Sequence, residues 1–96
     1  MILGLDISTS ITGYTILDDD GTILCCDHID LRKEKNFFKK IQIVSDRLDA
    51  LNEGYTIEQV YIEQSLQSFR SGFSSAQTLS LLSKINGIVS WLCYNM

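Results

Sequence analysis

MILGLDISTSITGYTILDDDGTILCCDHIDL, residues 1–31, holds three apolar, β-branched runs separated by turn-forming residues. "MILGLDI" reads as a buried strand and "TGYTILDD" as a second. "TILCCDHIDL" returns as a third, because Asp20-Gly21 before it readily adopts the positive φ of a hairpin turn. The expected unit is a three-stranded antiparallel meander. Asp6 closes its first apolar run, and whether that carboxylate is a surface charge or half of a site depends on what the rest of the chain brings beside it.

Downstream the period changes. From about Lys35, the apolar residues Phe37, Ile41, Val44, Leu48 and Leu51 recur at steps of 4, 3, 4 and 3, one face of an amphipathic helix. "NEG" (52–54) supplies its stop, with Gly54 just past the end. "TIEQVYIEQ" (56–64) is a β-rich run, expected to be a fourth strand ending near Glu63. "SLQSFRSGFSS" (65–75) is loop-like. A second helix is expected from Ser74 or Ser75, with a serine as N-cap, through Leu79, Leu82, Ile85, Val89 and Leu92, and no stop signal follows it.

The predicted order is β-β-β-α-β-α, an α/β chain without proline or internal repeats. A helix between the meander and the fourth strand is a crossover, and crossovers make parallel pairs. The fourth strand is therefore expected beside the first and parallel to it. Parallel neighbours present their C-terminal ends at one edge of the sheet, where open α/β sheets place their sites. Asp6 and Glu63, 57 residues apart in sequence, should meet there.

Ninety-six residues with 45% hydrophobic content make one domain with a modest core. No apolar run approaches the roughly 20 residues of a membrane span. The first Lys or Arg is Arg32, so no basic region opens a secretory signal, and a cytoplasmic location without membrane attachment is expected. Cys25 and Cys26 are adjacent and Cys93 is isolated, a pattern of free thiols rather than of a disulfide framework or a zinc site.

Charge is uneven along the chain. Residues 1–31 carry six Asp and neither Lys nor Arg, whereas "RKEKNFFKK" (32–40) carries five bases and one Glu. A net charge of −4 argues against strong nonspecific binding to nucleic acid but leaves room for a site focused on one face. The basic stretch could touch DNA, but it reads first as a solvated helix start. His28 has no second His as a co-ligand, and Asp18-Asp19-Asp20-Gly21 lacks the downstream Glu of a calcium loop, so a hairpin turn explains it.

Asp6 could instead cap a turn, and Glu63 could be a solvated strand end. Held close together, two carboxylates repel until one takes a proton or both share a cation. With oxygen ligands only, the cation expected is hard, Mg²⁺ or Mn²⁺ in its place. Two such ions bridged by carboxylates suit in-line displacement at a phosphodiester.

"ILGLDISTSITGY" resembles the opening of RuvC-type Holliday-junction resolvases, where a strand ends in Asp and Thr-Gly-Tyr follows at the spacing of Asp6 to Thr12-Gly13-Tyr14. "YIEQS" (61–65) is similar to the family's Ile-Glu-Gln motif at the end of its fourth strand, and Ser75-Ala76 and Gly87 also resemble family positions, at a different intervening spacing. The element order matches the first six of an RNase H-like fold. The resemblance implies a divalent-metal-dependent endonuclease acting on branched DNA, with Asp6 and Glu63 as catalytic metal ligands. It implies that loop 65–74 approaches DNA, with Arg70 near a phosphate, Phe69 or Phe73 stacking on an exposed base, and Ser74 beside them. Where the family tends to carry an aromatic three residues after the Glu, this chain has Leu66. RuvC-like enzymes complete the site with two further acidic residues on a later helix, and no acidic residue follows Glu63 here. The chain is accordingly expected to be the N-terminal portion of such a domain, to cleave poorly by itself, and to tend toward a homodimer through apolar surface left uncovered.

Two other classes compete. The first hairpin is also similar to that of actin-like ATPases and sugar kinases, where Asp-x-Gly-Thr/Ser precedes a phosphate-contacting turn, although Ser8 stands at the glycine's place. A non-catalytic DNA-binding or dimerising module is the third. Metal binding that needs both Asp6 and Glu63 marks the nuclease, nucleotide binding along residues 6–13 marks the ATPase, and the pure binding module shows neither.

Overall fold

Strand β1 (Ile2–Asp6) alternates strictly: Leu3 and Leu5 are buried, while Gly4 is half-buried and Asp6 exposed. The same period-2 pattern runs through β2 (Ile11–Leu17), where Thr12, Tyr14 and Ile16 point inward. Such alternation is what a sheet with one covered face requires. The computed structural model describes residues 1–63 and 76–96. Within them β3 is Ile23–Asp30, α1 is Phe37–Gly54, β4 is Gln59–Ile62 and α2 is Ala76–Tyr94.

The four strands form one sheet in the order β3-β2-β1-β4. β2 is antiparallel to both β1 and β3, and β4 is parallel to β1. The meander, the crossover helix and the parallel fourth strand all match the α/β, RNase H-like arrangement expected from the sequence. The β2–β3 turn is closed by Asp18 N–H to Thr22 O at 2.8 Å and Gly21 N–H to Asp18 O at 3.0 Å. Gly21 sits there at φ 89°, the region that glycine enters without a Cβ clash. Just beyond it, the register shifts between Ile16 and Leu17, so β3 bulges next to the turn.

Asn36 starts α1 as its N-cap, its side chain accepting from the Lys39 N–H at 3.1 Å. The first helical residue, Phe37, is also the first of the apolar series, so the helix begins close to where the period changes. Gly54 is the last helical residue rather than the one beyond it. The chain leaves the helix through Tyr55 in an extended conformation, with its N–H bonded to Leu51 O at 2.9 Å, and Gly54 has no positive φ. At the other helix, Asn95 closes the final turn that had no stop signal in the sequence: its side-chain amide donates to Trp91 O at 2.8 Å.

Both helices cover the same face of the sheet. Val44, Leu48 and Leu51 of α1 and Ile85 and Val89 of α2 join Leu3, Leu5, Ile16 and Ile29 in one buried cluster, with Leu82 and Leu92 packed against it. The opposite face carries Gly4, Thr15, Cys26 and Tyr61, and none of the described elements covers it. Cys25, Cys26 and Cys93 are free thiols, and burial pushes the Cys93 thiol up to about 11. No helix among the described residues is long and apolar enough to cross a membrane. The expected loop at 65–75 and helix start at Ser74 or Ser75 lie outside the described residues.

Candidate functional site

The parallel pairing of β1 and β4 decides the site. Its register aligns Gly4 with Tyr61 and Leu5 with Ile62. One step further, the Glu63 N–H donates to Leu5 O at 2.9 Å, which continues the ladder past the last strand residue. Glu63 is thereby level with Asp6 on the neighbouring strand, and neighbouring strands run about 4.8 Å apart. Both side chains are exposed. They line one cleft of about 480 Å³, with Gly4, Gly13, Thr15 and Tyr61 forming much of the remainder.

Gly13 faces Asp6 directly across the β1–β2 ladder. A Cβ built on Gly13 would lie 3.9 Å from the Asp6 Cβ, an ordinary contact, so the missing side chain leaves the space above the Asp6 stem open. Its neighbours in the Thr-Gly-Tyr triplet point the other way. Thr12 is fully buried, and its hydroxyl accepts from the Ser8 N–H at 3.1 Å while donating to Ser8 O at 2.9 Å. That pair of bonds clamps the turn that follows Asp6. Tyr14 is buried as well, its hydroxyl accepting from the Arg47 guanidinium at 2.8 Å.

The turn is tied further. Ser10 N–H donates to Ser8 Oγ at 3.2 Å, and Leu31 N–H donates to Ser10 O at 2.7 Å. Lys40 reaches across from α1 to donate to the carbonyls of Thr9 and Leu31. This half-buried ammonium departs from the solvated helix start expected of residues 32–40. Its position just before Ile41 on the apolar stripe was the one signal for partial burial. The Ser8 and Ser10 amides both serve side chains of the same turn, so the turn satisfies them internally.

An oxygen-only pair suits a hard divalent cation, so the donor set fits Mg²⁺ or Mn²⁺ as far as two ligands go. Among the described residues, no group of three or more His, Cys, Asp or Glu is placed to hold a metal ion. His28 instead stands beside Asp27 on β3, with its Nδ1 at 3.5 Å. Arg70, Phe69, Phe73 and Ser74 lie outside the described residues.

No protein-family model matches the sequence, and no curated protein matches it. Among solved structures, "T. thermophilus RuvC in complex with Holliday junction substrate" superposes with a TM-score of 0.75 over 98% of this chain. The fold is RuvC-like. The sequences are 13% identical, so the likeness is one of chain path. This chain spans 57% of that RuvC chain, which makes the RuvC-like fold here a match to a little over half of its length. A Holliday-junction substrate accompanies the solved RuvC. In the RuvC-like fold of the present chain, what is on view is the pair of parallel strand ends carrying Asp6 and Glu63 and the locked turn beside them.

Proposed function

We propose that this chain forms the N-terminal part of a structure-specific DNA endonuclease of the RuvC type, with Asp6 and Glu63 as two of its metal ligands. The observation that carries the reading is the Glu63 N–H to Leu5 O bond, which holds the two carboxylates level at adjacent strand ends. The RuvC-like fold supports the same assignment. Asp6 and Glu63 would hold Mg²⁺, or Mn²⁺ in its place. A divalent ion there supplies charge stabilisation at a phosphodiester oxygen and a more acidic bound water.

The chain's own residues have separate tasks. Gly13 keeps bulk away from Asp6, Thr12 fixes the turn that follows it, and the ladder to Leu5 fixes Glu63. Two carboxylates are a partial ligand set, and further acidic residues would complete it. Arg70, Phe69, Phe73 and Ser74 are proposed as contacts to branched DNA on the strength of the sequence resemblance, and a homodimer belongs to the same proposal.

The test is Mn²⁺ titration followed by paramagnetic line broadening in NMR spectra of the wild type, Asp6→Asn and Glu63→Gln. Broadening centred on both strand ends and lost in either variant is the expected result. Broadening that survives both substitutions, or that never localises to these residues, overturns the assignment.

A further inference from the structure

The same sheet edge that carries Asp6 also carries the one strongly basic segment of the chain. β1 and β3 both run antiparallel to β2, so Asp6 and Asp30 end their strands at the same side of the sheet. Residues 32–40 follow directly from β3 with five bases. Two bonds join this segment to the turn after Asp6: Leu31 N–H to Ser10 O at 2.7 Å, and the Lys40 ammonium to Thr9 O. The basic segment is therefore fixed against the turn that follows Asp6, at the end of the sheet where β1 and β3 finish.

Its cations are not equivalent. Arg32 is satisfied by Asp30, with bonds of 3.0 and 2.7 Å to the two carboxylate oxygens. Lys40 is turned inward, and Lys35 reaches Arg32 O at 3.2 Å. Among the described residues, the ammonium groups of Lys33 and Lys39 have no hydrogen-bond or ion-pair partner, and both residues are exposed. Glu34, the one acid within the segment, is engaged with the Asn36 N–H at 3.1 Å. In a chain of net charge −4, unpaired cations gathered at the end of the sheet where Asp6 also lies form a local field opposite to that of the molecule.

We infer that residues 32–40 form a track for the phosphate backbone of the DNA held at Asp6 and Glu63, with Lys33 and Lys39 as the contacting cations and Lys40 as the residue that holds the track against the turn. This rests on the nuclease reading for the identity of the polyanion. Lysine ammonium groups neutralise phosphates without reading sequence, so the track contributes affinity and salt dependence rather than base preference.

The experiment is binding of a fluorescein-labelled four-way DNA junction to the full chain in EDTA, across a series of KCl concentrations. The wild type, the double variant Lys33→Gln/Lys39→Gln and the control Lys84→Gln on α2 are compared. The double variant should lower the magnitude of the slope of log K against log salt by about 1 to 2, and the control should leave it unchanged. An unaltered slope in the double variant, or no binding by the wild type at low salt, overturns the track. Because EDTA removes metal, the outcome does not depend on metal binding at the carboxylates. A slope change with no Mn²⁺ broadening at Asp6 and Glu63 would support the track and overturn the metal-site assignment.

Discussion

The Glu63 N–H donates to the Leu5 carbonyl at 2.9 Å, so backbone pairing and not side-chain attraction sets Glu63 level with Asp6. Two like charges are brought together by a ladder whose stability comes from the buried residues around it, Leu3 and Leu5 among them. An arrangement of this kind does not depend on metal to form. It has a consequence for substitution: replacing either carboxylate should remove metal affinity without loosening the strand pair, because the pairing uses main-chain atoms.

Gly13 tests the space above Asp6. With 3.9 Å between a Gly13 Cβ and the Asp6 Cβ, Gly13→Ala should fold as the wild type does and bind Mn²⁺ nearly as well. Gly13→Leu extends bulk into the cleft beside the carboxylate and should weaken Mn²⁺ binding about 10-fold, on the scale of changes that misorient a ligand. Parallel thermal melts and Mn²⁺ titrations separate the two effects. Equal Mn²⁺ affinity in the Leu variant would show that the cleft is not where the ion sits.

Thr12 is the lock of the turn. Thr12→Val keeps the shape and removes both the acceptor of the Ser8 N–H and the donor to Ser8 O. Chemical denaturation should show a loss of about 1–3 kcal/mol, the cost of leaving buried polar groups unmet. Thr12→Ser retains the hydroxyl and should recover part of that loss.

Asp30 gives a pH-dependent signal. Hydrogen bonds from the Arg32 side chain and N–H hold the Asp30 carboxyl well below the usual carboxylate range. A depressed folded-state value means that its contribution to stability is present above the ordinary carboxylate pKa of about 3.9 and is lost as pH falls below it toward the folded value. The pair is exposed, so the effect on unfolding should be small. Side-chain carboxyl NMR is the sharper readout: Asp30 should remain ionised in acid below the ordinary carboxylate range, and Arg32→Gln should move it back toward that range.

Cys93 and Cys26 should differ in reactivity. Burial raises the Cys93 thiol to about 11, whereas Cys26 is exposed on β3. Since the thiolate is the nucleophile, iodoacetamide at pH 8 should alkylate Cys26 well before Cys93 in the folded chain. The order should collapse in denaturant. Mass spectrometry of timed samples gives the measurement.

Much of this molecule is written locally. The strict alternation of β1 and β2, the Asp20-Gly21 turn and the 4-3-4-3 spacing of α1 are each set by a few neighbouring residues, and local periodicity reports which face of an element is buried. The crossover rule then turned that element order into a parallel β1–β4 pair, so the placing of Asp6 and Glu63 at adjacent strand ends was legible in the sequence. Element ends were less so. The N-cap of α1 fell to Asn36 through a single side-chain bond to Lys39 N–H, and Gly54 ended inside the helix, since Tyr55 could leave it in an extended conformation.

What only the tertiary structure decided are the roles that depend on partners remote in sequence. Lys40 belongs to a run of charges that reads as solvated, yet its ammonium meets Thr9 O, 31 residues away, and Leu31 O. The Thr12-Gly13-Tyr14 triplet marked a family resemblance without explaining itself. In three dimensions Thr12 locks the turn, Gly13 clears space over Asp6, and Tyr14 anchors Arg47 of α1, 33 residues on. A periodic pattern records burial because every residue of an element shares one geometry, whereas a hydrogen bond between distant segments exists only once the sheet and helices have packed.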